Sequence, residues 1–236
     1  MTDVLYIKGK PSLNNDLEML YSLRTLEKHV KDLGRVFITG ECPEFINKKK
    51  VIYTPAEDIG SPMINHWWKV DQTIRKTDIK KNFALMYDDI FITRNIKLAE
   101  YPFYQKGLLH QNQTGGDVYK ESLINAAVWL MSNGKPTYDF ELHIPCIYNK
   151  FKFKRLREIF EPRKDQYPGM AVRSIYGNLF ETNRPYRKDI KIRTPYDGPA
   201  DFIQEYDCFS VSDQAFQFKV LPWLKKNYKE RSRYEK

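Results

Sequence analysis

The chain has 236 residues, 42% of them hydrophobic, which suits one domain with a full core or a core plus a small appendage. No stretch approaches the ~18 consecutive apolar residues of a membrane span; the three cysteines (Cys42, Cys146, Cys208) are odd in number and in no metal-ligand spacing, which excludes a disulfide framework and a cysteine-based zinc site. The net charge of +9 is uneven: residues 1–149 carry 19 basic and 18 acidic groups, residues 150–236 carry 20 and 12. Such a basic half suggests a polyanionic partner, nucleic acid or an anionic glycan, or else only a solubilising cationic surface.

The N-terminus runs straight into a strand, Val4 to Ile7, without the charged-then-apolar pattern of a signal peptide, so a cytoplasmic protein is expected. A loop with Gly9 and Pro11 leads to a helix from about Leu17 to Lys31. Asp16 is its cap, Leu20, Leu23, Leu26 and Val30 recur at helical spacing, and Gly34 marks its end. Arg35 to Thr39 is the next strand. The rhythm then repeats: a strand at Val51 to Tyr53, a helix from about Met63 to Thr77, a strand at Phe83 to Met86. This alternation implies a parallel sheet with crossover helices. Beyond Phe91 the pattern is irregular. Tyr119 to Asn133 reads as a helix. Tyr138 to Cys146 reads as a half-buried strand, because Phe140, Leu142 and Ile144 alternate with polar residues. Phe151 to Phe160 is a basic helix, Gln166 to Asn178 a helix, and Arg184 to Pro199 a basic, proline-bounded loop. Asp213 to Asn227 contains a helix, and Lys225 to Lys236 is a charged tail expected to be disordered.

The chain is organised around Phe83 to Ile92, where an apolar run stops at Asp88-Asp89 and another resumes at once. In open parallel sheets, ligands bind beyond the carboxyl ends of the strands. The Asp88-Asp89 turn would lie on that edge with the loops after Ile7 and Tyr53 and the Gly40 to Pro43 turn. Carboxylates at the end of a buried strand need a cationic or hydrogen-bonding partner. A divalent cation bridging to phosphate is one such partner; a solvated turn is the plain alternative. Successive side chains point opposite ways, so one of the pair is expected to ligate directly, and Asp89 is favoured. Glu141 and His143 share a face, which makes His143 a third ligand or a hydrogen-bonded structural histidine.

Other residues carry paired readings. Asp213 follows Ser212, so it is a catalytic base or part of a helix cap. Arg24 on the first helix could fork onto a phosphate or lie on a solvated face. Trp67 and Trp68, with Asn65 and Lys69, could stack on a base or sugar or simply pack in the core. Tyr6 on the first strand completes the donor-binding candidates. Lys152, Lys154, Arg155, Arg173, Arg187 and Lys188 are the candidate polyanion-binding residues. The basic stretches holding most of them are interleaved with Phe151, Phe153, Tyr186 and Tyr196, a mixture that suits single-stranded or flipped nucleic acid. Basic amphipathic helices are the ordinary alternative.

Several segments together resemble one ordered pattern: Asp16 to Glu18, Tyr21 to Leu26, Val36 to Pro43, Leu85 to Phe91, then His143 to Pro145 and Ser210 to Asp213. The pattern is that of phage-encoded glycosyltransferase-like proteins related to the Stealth family of sugar-phosphate transferases. Two departures stand out: Tyr87 replaces an Asn beside the aspartates, and Leu17-Glu18 inverts the usual Glu-Leu order. The resemblance implies an α/β, GT-A-like fold, a mostly parallel central sheet flanked by helices, and a metal-assisted transfer. It would assign Asp89, His143 and the neighbouring Asp88 to metal and donor phosphates, Arg24 to donor support, and Asp213 to the acceptor side. Residues 1–149 would form the nucleotide-sugar-binding core, and 150–236 would complete the same domain on the acceptor side.

The leading expectation is a glycosyltransferase using a nucleotide sugar and manganese or magnesium, with Asp88 and Asp213 catalytic. The expected acceptor is DNA bearing a hydroxymethylated base, in the host cytoplasm if the chain is phage-encoded. The alternatives are a Stealth-type sugar-phosphate transferase acting on a glycan and a non-catalytic polyanion-binding protein on the same fold.

Overall fold

The computed structural model describes residues 1–111, 116–160, 167–194 and 206–236. It builds β1 (Thr2–Lys8), α1 (Leu17–His29), β2 (Leu33–Gly40), β3 (Ile52–Pro55), α2 (Pro62–Lys76), β4 (Asn82–Met86) and β5 (Ile90–Ile92) in the first part of the chain. Then follow α3 (Asp117–Ser132), β6 (Cys146–Asn149), α4 (Lys150–Lys154), α5 (Arg157–Phe160), α6 (Val172–Phe180), β7 (Lys191–Ile192), β8 (Cys208–Val211) and a helical run from Asp213 to Asn227.

A five-stranded sheet has the order β3-β2-β1-β4-β6, and a three-stranded sheet has the order β5-β8-β7. Strands β1 to β4 are parallel, and β6 runs antiparallel against β4. The chain thus winds outward from β1 to β3, then returns to place β4 on the other side of β1. Both faces of the large sheet are covered. Leu5, Phe37, Phe83 and Leu85 pack with α2, α3 and α6 residues on one face. Val4, Tyr6, Val36, Ile38 and Met86 pack with Met19, Leu23 and Leu26 of α1 on the other. Burial on both faces is why these strands read as unbroken apolar runs. The small sheet has its own core, in which Phe91 stacks on Phe209 and Phe216.

Helix α2 starts at Ser61, whose Oγ accepts the Ile64 N–H at 3.3 Å, and Pro62 sits in its first turn. Asp16 does not cap α1 as expected. It sits in a left-handed conformation with its carboxylate on the Ser12 N–H, 2.8 Å, and on Lys8, 2.9 Å. Gly34 lies within β2; α1 ends at His29.

The expected strand from Tyr138 to Cys146 is also corrected: regular pairing begins only at Cys146. The polar partners in the alternation, Asp139 and Glu141, are buried too, so no solvent face exists. Side chains of α6 tie the segment instead: Ser174 Oγ accepts the Phe140 N–H at 3.1 Å, and Asn178 Oδ1 accepts the Tyr138 N–H at 3.0 Å. The basic helix at 151–160 is two short helices, and the helix expected from Gln166 starts at Val172, Gln166 itself lying outside the described residues.

The charged tail is ordered, against expectation. Tyr234 is buried, the Asn47 N–H donates to Tyr234 O at 2.7 Å, and the Lys236 N–H donates to Phe45 O at 2.9 Å. Arg24 clasps the tail through Nε and Nη2 to the two Glu235 oxygens at 2.8 and 2.6 Å, and through Nη1 to Tyr228 O at 2.9 Å. Glu235 is pushed up by burial, but the Arg24 bonds outweigh this and hold it below the usual carboxylate range. A depressed carboxyl pKa gives stability that is present above the unfolded value and lost as pH falls through the folded one. Arg24→Ala is therefore expected to cost roughly 2 kcal/mol at neutral pH, with hydrogen exchange rising across residues 228–236. Glu235→Gln should flatten the acid limb of stability, measured by urea unfolding between neutral and acid pH.

Candidate active site

The large sheet reverses its strand order between β1 and β4, and crevices form beyond the carboxyl ends at such points. A cavity of about 440 Å³ lies there. Its walls come from Ile7 at the end of β1, Gly9 just after it, Tyr87 and Asp88 after β4, the start of α2, the 141–143 segment and Arg173 of α6.

Asp88 and Asp89 occupy the link where the chain leaves the large sheet and enters the small one. Asp88 lines the cavity and pairs with Lys8 Nζ at 3.3 Å. Burial and the neighbouring Asp89 charge push its pKa up to about 6, against the pull of Lys8. Lys8, at the end of β1, also holds Asp16 at 2.9 Å and the Lys10 carbonyl at 2.8 Å. Asp89 is not in the cavity wall; it pairs with Lys191 Nζ of β7 at 3.1 Å.

His143 lines the cavity, and Asp189 fixes it twice. The His143 N–H donates to Asp189 Oδ1 at 3.0 Å, and ring Nδ1 meets Asp189 Oδ2 at 3.2 Å. Burial lowers the His143 pKa more than Asp189 and Asp89 raise it, so the imidazole is neutral at neutral pH. Asp189 is pushed up by burial but held well below the carboxylate range by His143 and Lys106. His66, in the same wall, is fully buried between the Tyr87 and Tyr148 hydroxyls at 2.8 and 3.2 Å, and burial keeps it neutral.

Among the expected donor residues, Asn65 and Lys69 do line the cavity. Asn65 Oδ1 accepts the Ile59 and Gly60 N–H groups at 2.8 and 3.1 Å, shaping the loop before α2. Lys69 reaches Lys8 O at 2.6 Å and Asp58 at 2.5 Å. Trp67 is core and stacks on Phe160. Tyr6 is buried under α1 with its hydroxyl 2.9 Å from Ser22 Oγ, and Arg24 is used on the tail, so neither reaches the cavity. Asp213 is exposed in the first turn after Ser212, whose Oγ accepts the Ala215 N–H at 3.4 Å; it is a helix-start residue outside the cavity.

The expected polyanion-binding set does not share one surface. Arg173 is buried in the cavity wall. Arg187 is sealed on Asp207 at 2.5 Å, with the Tyr101 hydroxyl at 3.0 Å. Lys152 is tied to Glu181 at 3.2 Å. Lys154, Arg155 and Lys188 are exposed. Lys8, Lys191 and Asp189 went unrecognised in the sequence. The position of Lys8 at the end of the first strand was the available signal, since that edge already carried the aspartates.

Among the described residues, no group of three His, Cys, Asp or Glu side chains gathers closely enough to hold a metal by itself. Asp89 and His143 are electrostatic neighbours, and Asp189 fixes the imidazole as a supporting carboxylate does for a ligating histidine. An ion that shares the phosphates of its substrate needs only one or two protein carboxylates. The described residues thus offer an imidazole inside the cavity wall and a carboxylate, Asp89, outside it and paired with Lys191, and not a closed, resident centre.

The sequence matches no protein-family model and no curated protein. Among solved structures, the chain is similar to the galactosyltransferase LgtC in complex with donor and acceptor sugar analogs, with 9% identity, a TM-score of 0.52 and 98% of each chain covered. An active-site mutant of LgtC gives 8% identity, a TM-score of 0.54 and the same coverage. The fold is therefore GT-A-like: a mostly parallel central sheet flanked by helices, as the resemblance implied. Among the described residues, no helix is long and apolar enough to cross a membrane.

Gly40 ends β2 with φ +118°, and a Cβ there would sit 1.9 Å from Lys8 O, the carbonyl that also receives Lys69. Only glycine fits this approach. Gly40→Ala is expected to cost about 2 kcal/mol or more, seen as a lower urea midpoint, whereas an unchanged midpoint would contradict the packing of this edge.

Proposed function

We propose that the protein is a glycosyltransferase that uses a nucleotide-sugar donor. The observation that carries this reading is the place of the cavity, beyond β1 and β4 at the reversal of strand order, with Asp88 in its wall. The fold likeness to LgtC supports it. In such a transfer the bond from the sugar anomeric carbon to the diphosphate oxygen breaks, and its electron pair leaves with the diphosphate. A new bond forms to an acceptor oxygen, whose proton must go to a base. Asp88, pushed up to about 6, is a carboxylate suited to receive it near neutral pH. Lys69 and Arg173 put positive charge in the wall where donor phosphates would lie.

Asp89 and His143 are the residues that would hold a divalent cation with the donor phosphates, and the ion would offset charge on the leaving diphosphate. The acceptor is proposed from charge alone: the basic excess of residues 150–236 suits a polyanion, with Lys154, Arg155 and Lys188 as exposed contacts. Hydroxymethylated DNA, a phage setting and kinship with the Stealth family belong to the same proposal and rest on the sequence resemblance.

The test is nucleotide release from a panel of nucleotide sugars with manganese or magnesium. Release is expected to vanish in EDTA and to fall on the order of 100-fold in Asp89→Ala. A product heavier by a sugar alone supports this reading; a product heavier by a sugar phosphate supports the Stealth-type transfer instead. No release with any donor from folded protein would contradict the proposal. If DNA is the acceptor, its affinity should fall steeply between low and moderate salt; salt-independent binding of acceptor would rule DNA out.

A further inference from the structure

Arg173 is the second residue of α6 and is 2% exposed, one of the largest fully buried side chains among the described residues. One guanidinium nitrogen, Nη1, donates to the Leu142 carbonyl, and the group lies 4.4 Å over the Tyr87 ring. Its Nε and Nη2 have no hydrogen-bond partner among the described residues. Buried charged donors almost always find partners, because leaving them bare costs free energy. The nearby Glu141 does not supply one. Its Oε1 accepts the Ser174 N–H and hydroxyl at 2.9 and 3.2 Å, and burial pushes its pKa up.

The other positive or imidazole groups of the cavity wall are already used. Lys69 holds Lys8 O and Asp58, His66 bridges two tyrosine hydroxyls, and His143 is fixed by Asp189. Among the described residues of the wall, Arg173 is thus the cation with two buried donors left without a partner, Nε and Nη2, and those donors form the edge of a planar fork that matches a pair of anionic oxygens. We infer that Arg173 is the anion anchor of the cavity, binding a phosphate or carboxylate group of the donor. The inference rests on the donor reading above. Two sources share this chemistry: the diphosphate of any nucleotide sugar, and the carboxylate of a uronic acid sugar.

The experiment measures binding by calorimetry, and melting temperature with and without ligand. It compares wild type, Arg173→Met and Arg173→Lys, with inorganic pyrophosphate, glucuronate, UDP-glucose and UDP-glucuronate as probes. The wild type is expected to bind at least one of these anions. Arg173→Met is expected to weaken that binding roughly tenfold or more, while the ligand-free melting temperature moves by only a few degrees. Arg173→Lys, which keeps the charge and loses the fork, is expected to stay folded and bind weakly. Weakening of pyrophosphate and of both nucleotide sugars, with glucuronate unchanged, identifies the phosphate; weakening of glucuronate and UDP-glucuronate, with pyrophosphate and UDP-glucose unchanged, identifies the carboxylate. Equal binding by wild type and both variants, or no anion binding by folded wild type, overturns the inference. So does loss of the fold in both variants, because that is the behaviour of a purely structural arginine. Nucleotide release by wild type is scored separately. Release with Arg173-independent binding sinks the anchor and spares the glycosyltransferase reading, while Arg173-dependent binding without release does the reverse.

Discussion

Two adjacent carboxylates at the junction of two sheets are the constraint on which the rest of this structure turns. Met86 ends β4 in the large sheet and Ile90 opens β5 in the small one, leaving only Tyr87, Asp88 and Asp89 to make the crossing. Half-buried negative charges side by side repel and must be compensated. Each sheet supplies one ammonium: Lys8 from the end of β1 meets Asp88, and Lys191 from β7 meets Asp89. The junction is thereby fixed from both sides, and the crevice beside it acquires a polar, charged wall.

That wall is built from elements far apart in sequence, which share one need. The 138–144 segment has no strand partner along most of its length, so α6 satisfies its backbone through Ser174 and Asn178. This packing draws Arg173 and Glu141 into the interior beside Tyr87. On the opposite side, Gly40 lets β2 approach Lys8 O closely enough for Lys69 to bind it. The cavity is therefore a consequence of how the loops at the carboxyl edge find hydrogen bonds. It carries a neutral His143 and a carboxyl at about 6 without any single segment encoding them.

Much of this was legible in the sequence, and the reasons for the rest are physical. Strands β1, β2 and β4 are legible as apolar runs because both faces of the sheet there are buried, and the Asp88-Asp89 turn stands out against them. Asn65 and Lys69 line the crevice because α2 begins at that edge. Periodicity carries no information about partners remote in sequence, however. Arg24 meets Glu235 across 211 positions, so its helix position alone suggested a ligand contact that the tail in fact occupies. Tyr6 pointed into the core rather than the crevice, a choice of face that the uniform burial of β1 conceals. The strand expected at Tyr138 to Cys146 failed because alternation presumes one wet face, and here Asp139 and Glu141 are buried as well. Arg173 is grouped in the sequence with Lys154 and Arg155 as a polyanion-binding candidate; its 2% exposure separates it from those exposed residues.

The most direct measurement is the crystal structure of the protein with a hydrolysis-resistant nucleotide sugar and manganese. The expected result places the diphosphate in the cavity beyond β1 and β4, beside Asp88 and within hydrogen-bond reach of Arg173 or Lys69. A nucleotide sugar bound elsewhere, with this cavity filled only by water, would contradict the assignment of the junction as the donor site.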